Sequence, residues 1–123
     1  MPAFICETRA GLNPNTKATL ARAITDVVND IIQSPFDLIS VVFHDLRAED
    51  TYRAGDRTMD TLIFGHIRQG RTDATIQKLG LAISETWSRI TGVPESEIEI
   101  AIEEYPAKFT FRGGERLPEP PYV

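Results

Sequence analysis

The chain repeats itself at an offset of 59 positions, and few folds are compatible with such a repeat. Arg9 falls on Arg68, Gly11 on Gly70, Leu20 on Leu79, Ala23 on Ala82 and Ile24 on Ile83. The register runs on without a gap through Ile31/Ile90, Pro35/Pro94 and Ile39/Ile98, and it sets Pro2 on Thr61. Scattered identities arise by chance, but shared punctuation by glycine and proline marks a repeated supersecondary unit.

Each half reads strand, helix, strand. Residues 3–8 are strand-like, and Asn13-Pro14 supplies an N-cap followed by proline at the first helical position. Leu20, Ile24, Val27, Val28, Ile31 and Ile32 recur at helical spacing, and Pro35 closes that helix ahead of a strand over 39–43. The second half follows suit. Residues 61–67 form a strand and Thr72-Asp73 a cap, and Ile76, Leu79, Ile83, Trp87 and Ile90 mark one helix face. Gly92 and Pro94 end the helix, and Ile98, Ile100 and Ile102 alternate with Glu97, Glu99 and Glu103. The units span about 2–46 and 61–105; a polar connector fills 47–60, and a tail over 106–123 reads as a short hairpin with an extended end.

A right-handed crossover makes the two strands of each unit parallel. Two fused β-α-β units then give an α+β fold, a four-stranded sheet with two helices on one face. The other face is expected to be bare and apolar, to be covered by partner subunits. At 123 residues the chain is expected to form a single domain. The net charge of −5 argues against a nucleic-acid or anionic-membrane partner. The single cysteine, Cys6, permits no internal disulfide and reads as inert packing. With no signal peptide and no apolar run long enough to span a bilayer, a cytoplasmic location is expected.

Two places carry chemistry. Proline is small enough for methionine aminopeptidases to remove a preceding Met1, so Pro2 can become an amino-terminal secondary amine on a rigid ring. Held in a pocket by the strand that follows, such an amine loses solvation and its pKa falls towards neutrality, where general acid–base work is most efficient. A proline after the initiator methionine is also commonplace, and Pro2 alone decides nothing. The second place is Arg68-Gln69-Gly70-Arg71-Thr72-Asp73, the turn from strand into helix. Two arginines there lie beside free backbone N–H groups at a helix N-terminus, a natural carboxylate seat. From spacing alone, two solvated arginines in a loop are the simpler reading. His44 and His66 are lone strand histidines without ligand spacing, so no metal site is read from them.

Together these residues resemble the tautomerase superfamily, most closely the group of cis-3-chloroacrylic acid dehalogenase. The resemblance rests on Met1-Pro2 with its strand, Leu12-Asn13-Pro14 through Ala21-Arg22-Ala23-Ile24-Thr25-Asp26, and Ile67-Arg68-Gln69-Gly70-Arg71. Pro106-Ala107 and Leu117-Pro118-Glu119-Pro120 extend it into the tail, so it covers nearly the whole chain. It implies Pro2 as the catalytic amine, Arg68 and Arg71 as binders of a small anionic carboxylate substrate, no metal or organic cofactor, and a homotrimer. Arg112 joins the arginines as a third substrate contact, and Phe111 is expected to dry the pocket.

Departures from the dehalogenase narrow the chemistry. Val28 stands where it has a helix histidine, Ala101 where it has a strand tyrosine, and Arg112 where it has the water-activating glutamate. Keto–enol tautomerisation is the simplest surviving reaction. The alternatives are decarboxylation, which Asp37 poised on Pro2 would favour, weak hydration or dehalogenation of a three-carbon acid, and a non-catalytic ligand-binding module.

Overall fold

The computed structural model describes residues 1–123. In chain order the principal elements are β1 (Ala3–Thr8), α1 (Pro14–Ile32), β2 (Ser40–Asp45), β3 (Tyr52–Arg53), β4 (Asp56–Arg57) and β5 (Thr61–Arg68). They continue with α2 (Asp73–Thr91), β6 (Ile98–Tyr105), β7 (Phe111–Arg112) and β8 (Glu115–Arg116). Local chemistry sets the helix ends. Asn13 Oδ1 accepts from the Thr16 amide at 2.8 Å, and Thr72 Oγ1 accepts from the Thr75 amide at 3.2 Å. Helix α2 stops at Gly92, which takes the left-handed conformation at φ 78°. Helix α1 ends at Ile32, earlier than its proline suggests, because Gln33 already adopts a left-handed φ of 54°.

The four long strands form one sheet in the order β2-β1-β5-β6. Each β-α-β unit supplies a parallel pair, and β1 meets β5 antiparallel, with Ala3 opposite His66 and Glu7 opposite Leu62. Phe4, Cys6, Ile63 and Ile67 face the helices and pack with Leu20, Ile24, Val28 and Ile32 of α1 and Leu79, Ile83 and Trp87 of α2. Burial of Cys6, and next to it the charge of Glu7, push its thiol pKa up to about 12, which keeps it protonated and inert. Gly65 is where Phe4 crosses the sheet: a Cβ there would sit 2.6 Å from the Phe4 ring. Phe4 is fully buried and cannot yield. Gly65→Ala is therefore expected to cost about 1–3 kcal/mol, read as a lowered urea midpoint at unchanged m.

The repeat extends further than strand–helix–strand. The connector folds as the β3–β4 hairpin and the tail as the β7–β8 hairpin, and Tyr52, Arg53, Asp56 and Arg57 correspond at the same offset to Phe111, Arg112, Glu115 and Arg116. Matching backbone bonds close both, Thr58 N to Thr51 O at 3.2 Å and Leu117 N to Thr110 O at 2.9 Å. The sheet face away from the helices is open but less apolar than expected. Ile5, Val42, Phe64 and Ala101 form its centre, and register with strand alternation surrounds them with Glu7, His44, His66, Glu99 and Glu103. No helix is long and apolar enough to cross a membrane.

Candidate active site

Pro2 is buried at the head of β1, its carbonyl accepting the Ser40 amide at 3.0 Å. Continuing the β1–β5 register sets Pro2 beside Ile67 and Met1 beside Arg68. The amino terminus on Met1 has its pKa lowered, first by burial and then by the charges of Arg68 and Arg112. The strand register and the tail hairpin therefore bring Pro2, Arg68 and Arg112 to one end of the sheet. While Met1 remains, the Pro2 nitrogen is an amide.

Arg68 is the least exposed cation of the molecule. It is 2% exposed, Nη1 donates to the Pro118 carbonyl at 2.6 Å, and Nε is buried without a partner. Burial lowers its pKa, with Glu119 opposing. A buried guanidinium N–H left unpaired costs free energy that an incoming carboxylate would recover. Arg112 is exposed and forms no ion pair, unlike its counterpart Arg53, which holds Asp60 at 3.1 Å.

Arg71 makes four hydrogen bonds inside the fold. Its Nε and Nη2 donate to the Ile32 carbonyl at 3.3 and 3.0 Å, Nη2 also to Ser34 Oγ at 3.0 Å, and Nη1 to the Arg68 carbonyl at 2.8 Å. It is a cation on the C-terminal end of α1, tying that helix to the end of β5. Burial, and then the charge of Arg68, lower its pKa to about 10. Two backbone N–H groups of this turn are occupied as well. Gln69 N donates to Tyr105 O at 2.8 Å and Thr72 N to Val123 O at 3.0 Å. Gly70, at φ +135°, lies under Pro120, which a Cβ would meet at 3.1 Å. The proline-rich end of the tail is thus a strap across the turn; only its run of prolines hinted at this.

The remaining candidates separate by position. Val28 is core and Ala101 is exposed on the open face. Asp37 is exposed in the short turn before β2. Phe111, expected to dry the pocket, is 64% exposed in the single chain. A depression of about 460 Å³ lined by Lys108, Arg116, Leu117, Pro118 and Glu119 opens beside the strap. No depression of the single chain includes Pro2 or Arg68.

A family model described as tautomerase enzyme matches residues 8–60. The crystal structure of N1, a member of the cis-3-chloroacrylic acid dehalogenase family, superposes with a TM-score of 0.92 at 28% identity, covering 97% of this chain and 85% of that one. The chain is similar to the tautomerase superfamily, in sequence over residues 8–60 and in fold over nearly its whole length. Pt0534, whose crystal structure is of a form inactivated by 2-oxo-3-pentynoate, is 26% identical over 93% of this chain and 94% of its own, with a TM-score of 0.85. A fused 4-OT that forms a symmetric trimer shares the fold at 21% identity and a TM-score of 0.87, covering 94% and 95% of the two chains. No curated protein matches the sequence.

Proposed function

We propose that residues 1–123 act as a single tautomerase-like domain, a cofactor-independent keto–enol tautomerase of a small 2-hydroxyenoate or 2-keto carboxylate. The Pro2 amine, freed by removal of Met1, is its general base. The observation that carries this reading is the meeting of the β1 amino end with Arg68, whose buried Nε has no partner. Arg68 seats the carboxylate, Arg112 adds charge at the mouth, and Arg71 holds the turn from behind. Pro2 moves the proton at carbon: neutral, it removes the hydrogen alpha to the carbonyl, and protonated, it returns one there. With a single base it also takes the enol hydroxyl proton. Negative charge on the enolate oxygen is stabilised by the arginines. Nothing in this sequence of steps calls for a metal or an organic cofactor. The partly apolar open face and the exposed Phe111 fit a homotrimer in which neighbours close each site. A net-acidic cytoplasmic protein acting on small anions, without nucleic-acid or membrane partners, completes the reading.

The test is labelling of the Met1-free chain with 2-oxo-3-pentynoate, the compound that inactivates Pt0534. Its alkyne is conjugated to a ketone, so a neutral amine adds across it and gains the whole mass of the reagent. One adduct per chain on Pro2, with loss of ketonisation, is expected; an adduct elsewhere, or none, would oppose the assignment. The labelling rate should rise with pH as the amine loses its proton. A nearby cation disfavours the protonated amine and lowers its pKa, so Arg112→Ala raises that pKa and moves the rise to higher pH. An unmoved profile would remove Arg112 from the site.

A further inference from the structure

At the Pro2 end of the sheet the open face carries His66, Arg68 and Tyr105. Alternation along β5 puts His66 and Arg68 on one face and buried Ile67 on the other. The β5–β6 register sets Arg68 beside Tyr105 and His66 beside Glu103, and β1 sets Ala3, the residue after Pro2, beside His66. His66 Nδ1 and Tyr105 Oη are 2.8 Å apart. The Tyr105 phenol has its pKa raised, first by loss of hydration and then by the charge of Glu103. In the tautomer that donates Nδ1–H to Tyr105 Oη, Nε2, which makes no hydrogen bond within the chain, keeps its lone pair free.

We infer that His66 is a second proton-transfer group of this site, taking the enol hydroxyl proton at Nε2 while Pro2 works at carbon. The inference rests on the tautomerase reading and divides its two proton transfers between two groups. In ketonisation the enol O–H bond breaks and an Nε2–H bond forms. The oxygen electron pair becomes the carbonyl π bond. The former C=C electrons take the proton of the Pro2 ammonium, breaking its N–H bond and making the new C–H bond. The site ends with neutral Pro2 and cationic His66; His66 then gives a proton to water and Pro2 takes one back. A single nitrogen no longer has to reach both oxygen and carbon. Arg68 on β5, Glu103 and Tyr105 on β6, Arg112 of the β7–β8 hairpin and the amine end of β1 are the charged or titratable groups at this end of the face, and together they set the pH range.

His66→Asn tests this, because the amide keeps a donor for Tyr105 and removes Nε2. Its kcat for ketonisation should fall about 100-fold at nearly constant KM. The low-pH limb of the bell-shaped profile, which requires neutral His66, should disappear, and Pro2 labelling by 2-oxo-3-pentynoate should be unchanged. Normal labelling with wild-type kcat and both limbs retained would overturn the inference. Absence of Pro2 labelling in the unsubstituted chain would instead sink the tautomerase reading. Should His66→Asn fail to fold, nitrogen-15 spectra of the unsubstituted Met1-free chain decide: the Nδ1–H tautomer supports the inference, and the Nε2–H tautomer overturns it.

Discussion

Pro2→Ala is expected to lower kcat/KM for ketonisation by roughly 10²–10⁴-fold, the range that a positioned acid–base group contributes. Some activity should survive, because alanine at the mature terminus still carries an amine. That amine is primary and free to rotate, so less of it is aligned. Stability should hardly change. The bond that anchors position 2, Ser40 N to its carbonyl, belongs to the backbone and survives the substitution. The comparison is made at matched concentration with oligomeric state and urea midpoint measured beside the rate. An unchanged rate would remove Pro2 from the chemistry.

The second large effect separates two arginines that the sequence presents as a pair. Arg68→Ala should reduce kcat/KM by roughly 10²–10³-fold, the scale of losing one preorganised charge-stabilising donor. Arg68→Lys should recover little, since a point charge cannot reproduce the planar guanidinium donors. Arg71→Ala should act on stability instead. It leaves the Ile32 and Arg68 carbonyls and Ser34 Oγ without their charged donor, at a cost of about 2–4 kcal/mol. The folded fraction of Arg71→Ala should show near-normal KM. Urea titration and steady-state kinetics on both variants read the difference; full stability with a raised KM in Arg71→Ala would reverse the two roles.

The fold was legible because its signals are local. Asn13-Pro14, Thr72 and Gly92 act on their own backbone, and the helix stripes recur at a spacing that only one face satisfies. The paired hairpins were harder to see: Arg53 and Arg112 obey the offset, but the turns between them are Ala54-Gly55 in one half and Gly113-Gly114 in the other. The site was legible only in part. Pro2 and Arg68 could be placed together because a register joins them. The occupation of Arg71 depends on the Ile32 carbonyl 39 positions away and the Ser34 hydroxyl 37 positions away, and that of Thr72 on Val123. Acceptors on the backbone carry no residue signature, so composition and spacing are blind to them. His66 was dismissed as a lone histidine since its partner lies 39 residues away across a parallel pair.

The central claim is that a free Pro2 amine beside Arg68 performs proton transfer. Its most direct test is ketonisation of 2-hydroxymuconate and phenylenolpyruvate, followed by absorbance, for the chain lacking Met1 beside the same chain retaining it, with intact mass verifying each. The account predicts decay well above the buffer rate for the processed chain and none for the other, whose Pro2 nitrogen is an amide. Equal acceleration by both forms would contradict it, as would none from the processed chain.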